Sequence, residues 1–248
     1  YYHQPPDRLT TDQLQDFFLY LVKQRKLSAA SCRLYLNGIR FFYLQVLRWP
    51  SIAVTLTVPK RPQRIPELLA RDEVSRIFTA CKNPKHRMML ITCYGCGLRV
   101  SELVSLKVGH IDRERRLLRI EQGKGGKDRL VPLSDGLLQH LRTYWRLYHP
   151  MHYLFAGCRP DVPLSVTTAQ KAFQWSKRRA GVEKIGGIHS LRHAYATHLL
   201  EGGLPVQQLQ HLLGHQNLQS TLRYVHWVPD YREAQGARDL VARLRLPS

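Results

Sequence analysis

The sequence predicts a mainly α-helical protein with one small antiparallel β-sheet, divided into two domains. Three observations carry that expectation. Apolar residues recur at helical spacing along most of the 248-residue chain. Two short runs, Leu117–Glu121 and Arg129–Leu133, flank a glycine-rich turn, Gly123-Lys124-Gly125-Gly126-Lys127, in the manner of a hairpin. Between Val58 and Pro66 three prolines deny the chain helix and ladder bonds, which reads as a linker. The expected boundaries are 1–58 for a helical N-terminal domain, 59–67 for the linker and 68–248 for the larger domain.

Thr10-Thr11-Asp12-Gln13 has the form of a capping box, and Leu14, Phe17, Phe18, Leu21 and Val22 come after it at helical spacing. A second helix is expected from Ser28 to about Arg48, with Leu34, Ile39, Phe42 and Val46 inward and Arg33, Arg40 and Arg48 on a polar face. Two helices make a poor core, and the chain begins at Tyr1 without an initiator Met, so this domain reads as the latter part of a longer one. Past the linker, Asp72–Ala80 and Lys85–Tyr94 read as helices, the second apolar enough to be buried. Gly95-Cys96-Gly97 breaks it and Arg99–Leu106 resumes. After the hairpin, helices are expected near 135–148, 165–180, 190–201, 205–213, 217–226 and 230–246.

A net charge of +20 and a pI near 10.2 say nothing of the fold but favour a polyanionic partner. No apolar run approaches the ~18 residues of a spanning helix, so a membrane partner is not expected. Residues 1–66 alone hold 10 Lys and Arg against 3 Asp and Glu, which places part of the nucleic-acid surface there. Five irregularly spaced cysteines suit a reducing cytoplasm. Cys93 and Cys96 form a C-x-x-C, but no second pair completes a zinc site, and they read as buried thiols.

Breaking a phosphodiester needs charge stabilisation on the nonbridging oxygens, a nucleophile, an acceptor for its proton and an acid for the leaving oxygen. Arg99 and Arg192 offer planar forks for phosphate, and Lys124 on its glycine turn offers a proton. His189 lies one helical turn before Arg192, so the two can share a phosphate. Leu213-Gly214 reads as a helix end that redirects the chain into His215, and Tyr224 lies nine residues further on. Taken singly, each of these is more simply a cap, a salt-bridge partner or a core residue. His193, His198, His211 and His226 gain no support beyond that and read as structural.

In combination these residues resemble the tyrosine recombinase (phage integrase) superfamily, and within it the bacterial Xer-type recombinases and integrases. The first arginine motif is Gly97-Leu98-Arg99-Val100-Ser101-Glu102-Leu103; the hairpin lysine motif is Gly123-Lys124-Gly125-Gly126-Lys127-Asp128-Arg129. His189-Ser190-Leu191-Arg192-His193, Leu212-Leu213-Gly214-His215 and Tyr224-Val225-His226 come next, in the family's order. The resemblance implies a two-domain C-shaped clamp with a tyrosine recombinase catalytic domain. It implies that Tyr224 attacks the scissile phosphate, forming a 3′-phosphotyrosyl bond. Arg99 and Arg192 would clamp the phosphate, Lys124 (with Lys127 as rival) would protonate the leaving oxygen, and His189 would help move the phenol's proton. His215 would hydrogen-bond the phosphate, and Glu102 would support Arg99. Arg33, Arg40, Lys60, Arg61, Arg64, Lys127 and Arg129 are the expected DNA contacts. Because the ester conserves bond energy, religation would need no ATP, metal or other cofactor. The implied partners are a double-stranded DNA site and further copies of the chain, four in the synapse, joined through the helix expected over Asp230–Leu246.

Overall fold

The computed structural model describes residues 1–51, 66–121 and 128–228, and within them the chain is mostly helical with one three-stranded antiparallel sheet. It divides into two compact units, Tyr1–Arg64 and Ile65–Ser248. Lys60, Arg61, Arg64, Lys124 and Lys127 lie outside the described residues, as does the helix expected over 230–246. Among the described residues no helix is long and apolar enough to cross a membrane.

The N-terminal unit is built on α1 (Thr11–Lys23) and α2 (Ala29–Phe41). The capping box at the start of α1 is real: Thr10 Oγ1 accepts from the Gln13 N–H at 3.3 Å, and the Gln13 side chain accepts from the Thr10 N–H at 2.9 Å. Leu14, Phe18 and Leu21 of α1 pack on Leu36 and on Tyr43, whose hydroxyl bonds the Pro6 carbonyl. The expected second helix is corrected in both extent and face. The α-helix stops at Phe41, a π-helical turn runs from Phe42 to Val46, and Arg48 adopts a left-handed φ of 54°. Leu34 is 74% exposed and Val46 56% exposed, while Cys32, Leu36 and Tyr43 are buried. The buried stripe therefore steps 32, 36, 39, 43, and Leu34 lies on the far side of that helix.

The larger unit packs its helices around two that are buried on nearly every side. Helix α3 (Arg71–Ala80) leads into α4 (Pro84–Gly95), where every residue from Met88 to Tyr94 is buried. Cys93 and Cys96 lie here as free thiols, their pKa values pushed up to about 12 by burial, which fits inert core residues. A short α5 (Val100–Val104) precedes the sheet. Its strands are β1 (Ile111–Asp112), β2 (Leu117–Ile120) and β3 (Arg129–Pro132) in spatial order 1-2-3, with Leu118 opposite Val131 and Ile120 opposite Arg129. The two-residue β1 is too short for any periodicity to announce it. Leu118, Ile120 and Val131 face the core in the alternation expected of a one-sided sheet. Then come α6 (Asp135–Tyr148), α7 (Val166–Arg179), α8 (His189–Glu201), α9 (Val206–Leu213) and α10 (Gln219–Val225). Helix α8 is buried continuously from Ala194 to Leu200 and packs on α4.

The turn from α4 into α5 sets the distance between those two central helices. Gly97 has φ of 58°, and a Cβ there would stand 2.4 Å from Tyr195 Cδ1 of α8. Its carbonyl accepts a 2.7 Å bond from Arg192 Nη1. Gly97→Ala combines left-handed strain with a clash against a buried ring. It is expected to lower stability by about 2–4 kcal/mol, read as a reduced urea midpoint with an unchanged m-value.

Candidate active site

Five of the six catalytic residues expected from the sequence fall among the described residues, and all five line one cleft. Arg99, His189, Arg192, His215 and Tyr224 surround a space of about 270 Å³, together with His193, Gly214, Gln216, Asn217, Ser220 and Arg223. The sixth, Lys124, lies outside the described residues, between β2 and β3 in the sequence.

Glu102 organises one wall. It stands at the third position of α5, and one carboxylate oxygen reaches back to the Arg99 N–H at 2.8 Å, as an N-terminal glutamate does. The other accepts from Arg99 Nη1 at 2.6 Å. From the opposite side Arg129 of β3 docks both guanidinium nitrogens on the two oxygens at 2.8 Å each. Arg129 Nε also donates to the Leu212 carbonyl at the end of α9, 3.0 Å away. The expectation of Arg129 as a DNA contact is therefore corrected: its side chain is 9% exposed, and its fork is committed to Glu102. Burial alone would raise the Glu102 carboxyl. The bonds and charge of Arg129, with those of Arg99, outweigh it and hold the pKa at about 2.

Arg192 comes from α8 and is almost wholly buried. Its Nη1 donates to the Gly97 carbonyl and its Nη2 to the Leu213 carbonyl, both at 2.7 Å, and Glu102 lies 3.8 Å away. Desolvation, reinforced by the Arg99 charge, lowers its pKa to about 10, which leaves it a cation at neutral pH. Its Nη2 also lies 3.2 Å from His215 Nε2. Guanidinium nitrogens only donate, so this ring nitrogen carries the lone pair and Nδ1–H donates to Thr221 Oγ1 at 2.9 Å. Gly214, in the left-handed region at φ of 62°, ends α9 and turns the chain into His215, as its position in the sequence suggests.

Tyr224 is buried on α10, with its ring stacked 6.3 Å from His215 at an interplanar angle of 6°. Its hydroxyl lies 3.0 Å from Nδ1 of His193. Desolvation raises the phenol's pKa, while the charges of Arg192 and Arg223 act to lower it. His193, expected from the sequence to be structural, is thus brought into the cleft against the Tyr224 hydroxyl. Nothing local links it to Tyr224 across 31 residues, and the contact exists only through the packing of α8 on α10. Thr221 and Arg223 escape sequence reasoning on the same ground. His198 does prove to be a core residue, bonded through Nδ1 to Tyr94 Oη at 2.9 Å, and His211 and His226 are exposed. All three imidazoles of the cleft are made less basic first by desolvation. Arg192 adds to this at each, and His193 and His215 fall to about 4.

The comparisons with known proteins agree with this geometry. Residues 67–229 match the model of the phage integrase family, and residues 1–51 match the phage integrase N-terminal SAM-like domain. The integrase/recombinase-like protein y4eF of Sinorhizobium fredii is 39% identical over 219 residues, covering 88% of this chain and 87% of the relative. Tyrosine recombinase XerA of Pyrococcus horikoshii is 35% identical over 215 residues, covering 85% of this chain and 74% of the relative. A crystal structure of XerA recombinase superposes with a TM-score of 0.61 at 28% identity, over 90% of this chain and 80% of the other. A lambda integrase dimer bound to a COC′ core site shares the fold, with a TM-score of 0.71 at 22% identity over 89% and 81% of the two chains. The fold and cleft are those of a DNA strand-breaking and rejoining enzyme that acts through a tyrosine. The chain belongs to the phage integrase, or tyrosine recombinase, family.

The Glu102 cluster can be probed in two ways. Arg129→Ala leaves a buried carboxylate short of its principal partner and is expected to cost about 3–5 kcal/mol of stability, read by urea unfolding. Because the folded-state pKa of Glu102 lies below its unfolded value of 4.5, its contribution is complete above that value and is lost as pH falls toward about 2. Glu102→Gln should accordingly flatten the acid limb of the stability–pH curve.

Proposed function

We propose that this chain is a site-specific DNA recombinase that cuts and rejoins strands through a 3′-phosphotyrosyl intermediate. The observation that carries the reading is the convergence of Tyr224, Arg99, Arg192, His189 and His215 on one cleft from four separate segments. In this reading the phosphodiester enters the cleft between Arg99 and Arg192. The Tyr224 oxygen attacks phosphorus, and the bond to the 5′ oxygen breaks. Lys124 supplies the proton to that oxygen, Lys127 being the alternative donor between β2 and β3 in the sequence. His189 faces the phosphate beside both arginines and helps with proton movement, while His215 donates a hydrogen bond to it. For His215 to donate through Nε2, its ring must exchange tautomer, and the Thr221 hydroxyl can reverse from acceptor to donor at Nδ1. Attack by the 5′-hydroxyl on the phosphotyrosine reverses the steps and reseals the strand without an external energy source.

The partners in this reading are a duplex recombination site and other copies of the chain, two per site and four in the synapse. The lambda integrase dimer on its core site supports that arrangement by fold. In the N-terminal unit, Arg33 and Arg40 stay on exposed positions of α2, which suits contact with phosphates. Lys60, Arg61 and Arg64 would continue the basic track along the linker. A cytoplasmic location is supported by the five free thiols.

A pool of nicked duplexes of randomised sequence lets the cleaved fragment diffuse away and traps the covalent adduct as a denaturation-resistant band. The wild-type chain should form that band and Tyr224→Phe should not. An adduct with the phenylalanine variant would show that another residue is the nucleophile, and its absence with wild type would point to a DNA-binding protein without catalysis. Retention of duplex DNA should also weaken by on the order of a thousandfold between about 50 and 200 mM salt, as contact with many phosphates requires.

A further inference from the structure

We infer that His193 is the group that takes the proton from Tyr224 when the phenol attacks DNA, and that returns it when the strand is resealed. The inference rests on the reading of Tyr224 as nucleophile. Among the described residues the imidazole hydrogen-bonded to the Tyr224 oxygen is that of His193, at 3.0 Å from Nδ1. His189, to which the family resemblance assigns help with this proton, has its ring edge-on to His193 with centroids 4.8 Å apart. One step along α8 rotates the side chain by about 100°. Arg192 accordingly points toward Gly97 and Leu213, and His193 points toward α10.

The surroundings suit a proton acceptor. Trp227 packs edge-on to both partners, 5.6 Å from the His193 ring and 5.0 Å from the Tyr224 ring. The phenol is 3% exposed, so bulk water has little access to its proton. The groups acting on His193 are His189 and Arg192 from its own helix and Arg223 from α10, with no carboxylate among them. Burial and these charges hold the ring neutral at physiological pH, its pKa down at about 4. Proton acceptance requires the tautomer with the ring proton on Nε2, in which the phenol O–H donates to Nδ1. An arriving phosphodiester brings negative charge into a cleft lined by arginines, which favours the imidazolium that proton transfer creates.

The step balances. The Tyr224 O–H bond breaks and its proton passes to His193 Nδ1, while the oxygen's electron pair forms the bond to phosphorus. The phosphorus–5′-oxygen bond breaks, and that oxygen takes a proton from Lys124. In resealing, the 5′-hydroxyl returns its proton to Lys124 as it attacks, and the departing phenolate recovers its proton from His193.

The test uses the randomised nicked duplexes, with wild type, His193→Gln and His193→Gly. Glutamine can keep a hydrogen bond to the phenol as donor or acceptor, but it does not take up a proton. His193→Gln is expected to bind duplex DNA as wild type does and to form adduct about 100-fold more slowly at pH 7. Its deficit should narrow about tenfold per pH unit as hydroxide replaces the lost base. Added imidazole should speed adduct formation by His193→Gly and leave Tyr224→Phe inactive. Equal rates for wild type and His193→Gln would overturn the inference. So would a deficit that stays constant with pH, or one that imidazole does not relieve, since a residue that merely holds the phenol in place behaves so. A wild-type chain that forms no adduct would instead remove the recombinase reading itself.

Discussion

The Glu102 carboxylate, 5% exposed, is the point at which the catalytic unit is tied together. An anion so buried is costly unless it is paired and fully hydrogen-bonded, and Glu102 is both. Each of its oxygens receives two donors, one from Arg99 and one from Arg129. Those residues belong to the start of α5 and to β3, and through Arg129 Nε the cluster also holds the end of α9. The carboxylate therefore sets where Arg99 presents itself to the cleft and where β3 is anchored. It also fixes where the chain bends at Gly214 into His215. The packing there leaves no slack, because a Cβ on Gly214 would lie 2.9 Å from Arg129 Cδ.

The same constraint shows which parts of the site are legible in the sequence. Arg99 and Glu102, or His189 and Arg192, sit one turn apart, so local periodicity places each pair together. Gly214 before His215 is likewise a local signal, a left-handed helix end. Arg129 cannot be read this way. As an arginine in a basic strand beside a glycine turn it looks like a phosphate contact, and only the fold reveals that it spends its fork on a carboxylate 27 residues away. His193 is hidden for the converse reason, its partner lying 31 residues off across a helix–helix contact.

The fold is legible where burial is extreme. Helix α4 and the sheet strands Leu117–Ile120 and Arg129–Pro132 emerge from uniform apolarity and from alternation around a turn. The second helix of the N-terminal unit is misphased in the sequence because Leu34, Phe41 and Val46 are apolar and exposed. Their spacing competes with the true stripe through Cys32, Leu36 and Tyr43. A π-turn at Phe42–Val46 then shifts the phase of the residues beyond it. Helical periodicity presumes 3.6 residues per turn throughout, and it fails where the helix widens.

Burial, reinforced by charge, makes all three imidazoles of the cleft less basic. Arg99, Arg192 and Arg223 line it, while the Glu102 carboxylate nearby is already saturated by guanidinium contacts. Desolvation first, and then positive charge in excess of its counterion, pushes His189, His193 and His215 toward their neutral forms. At Tyr224 desolvation raises the phenol's pKa and that charge acts to lower it. Under the recombinase reading, an arriving phosphodiester would supply the missing anion and make the same imidazoles better proton acceptors. At Tyr224 burial opposes those positive charges, since desolvation keeps the phenol protonated. Under that reading, proton transfer from the phenol would follow the arrival of DNA, because the anion strengthens the neighbouring imidazole as a base.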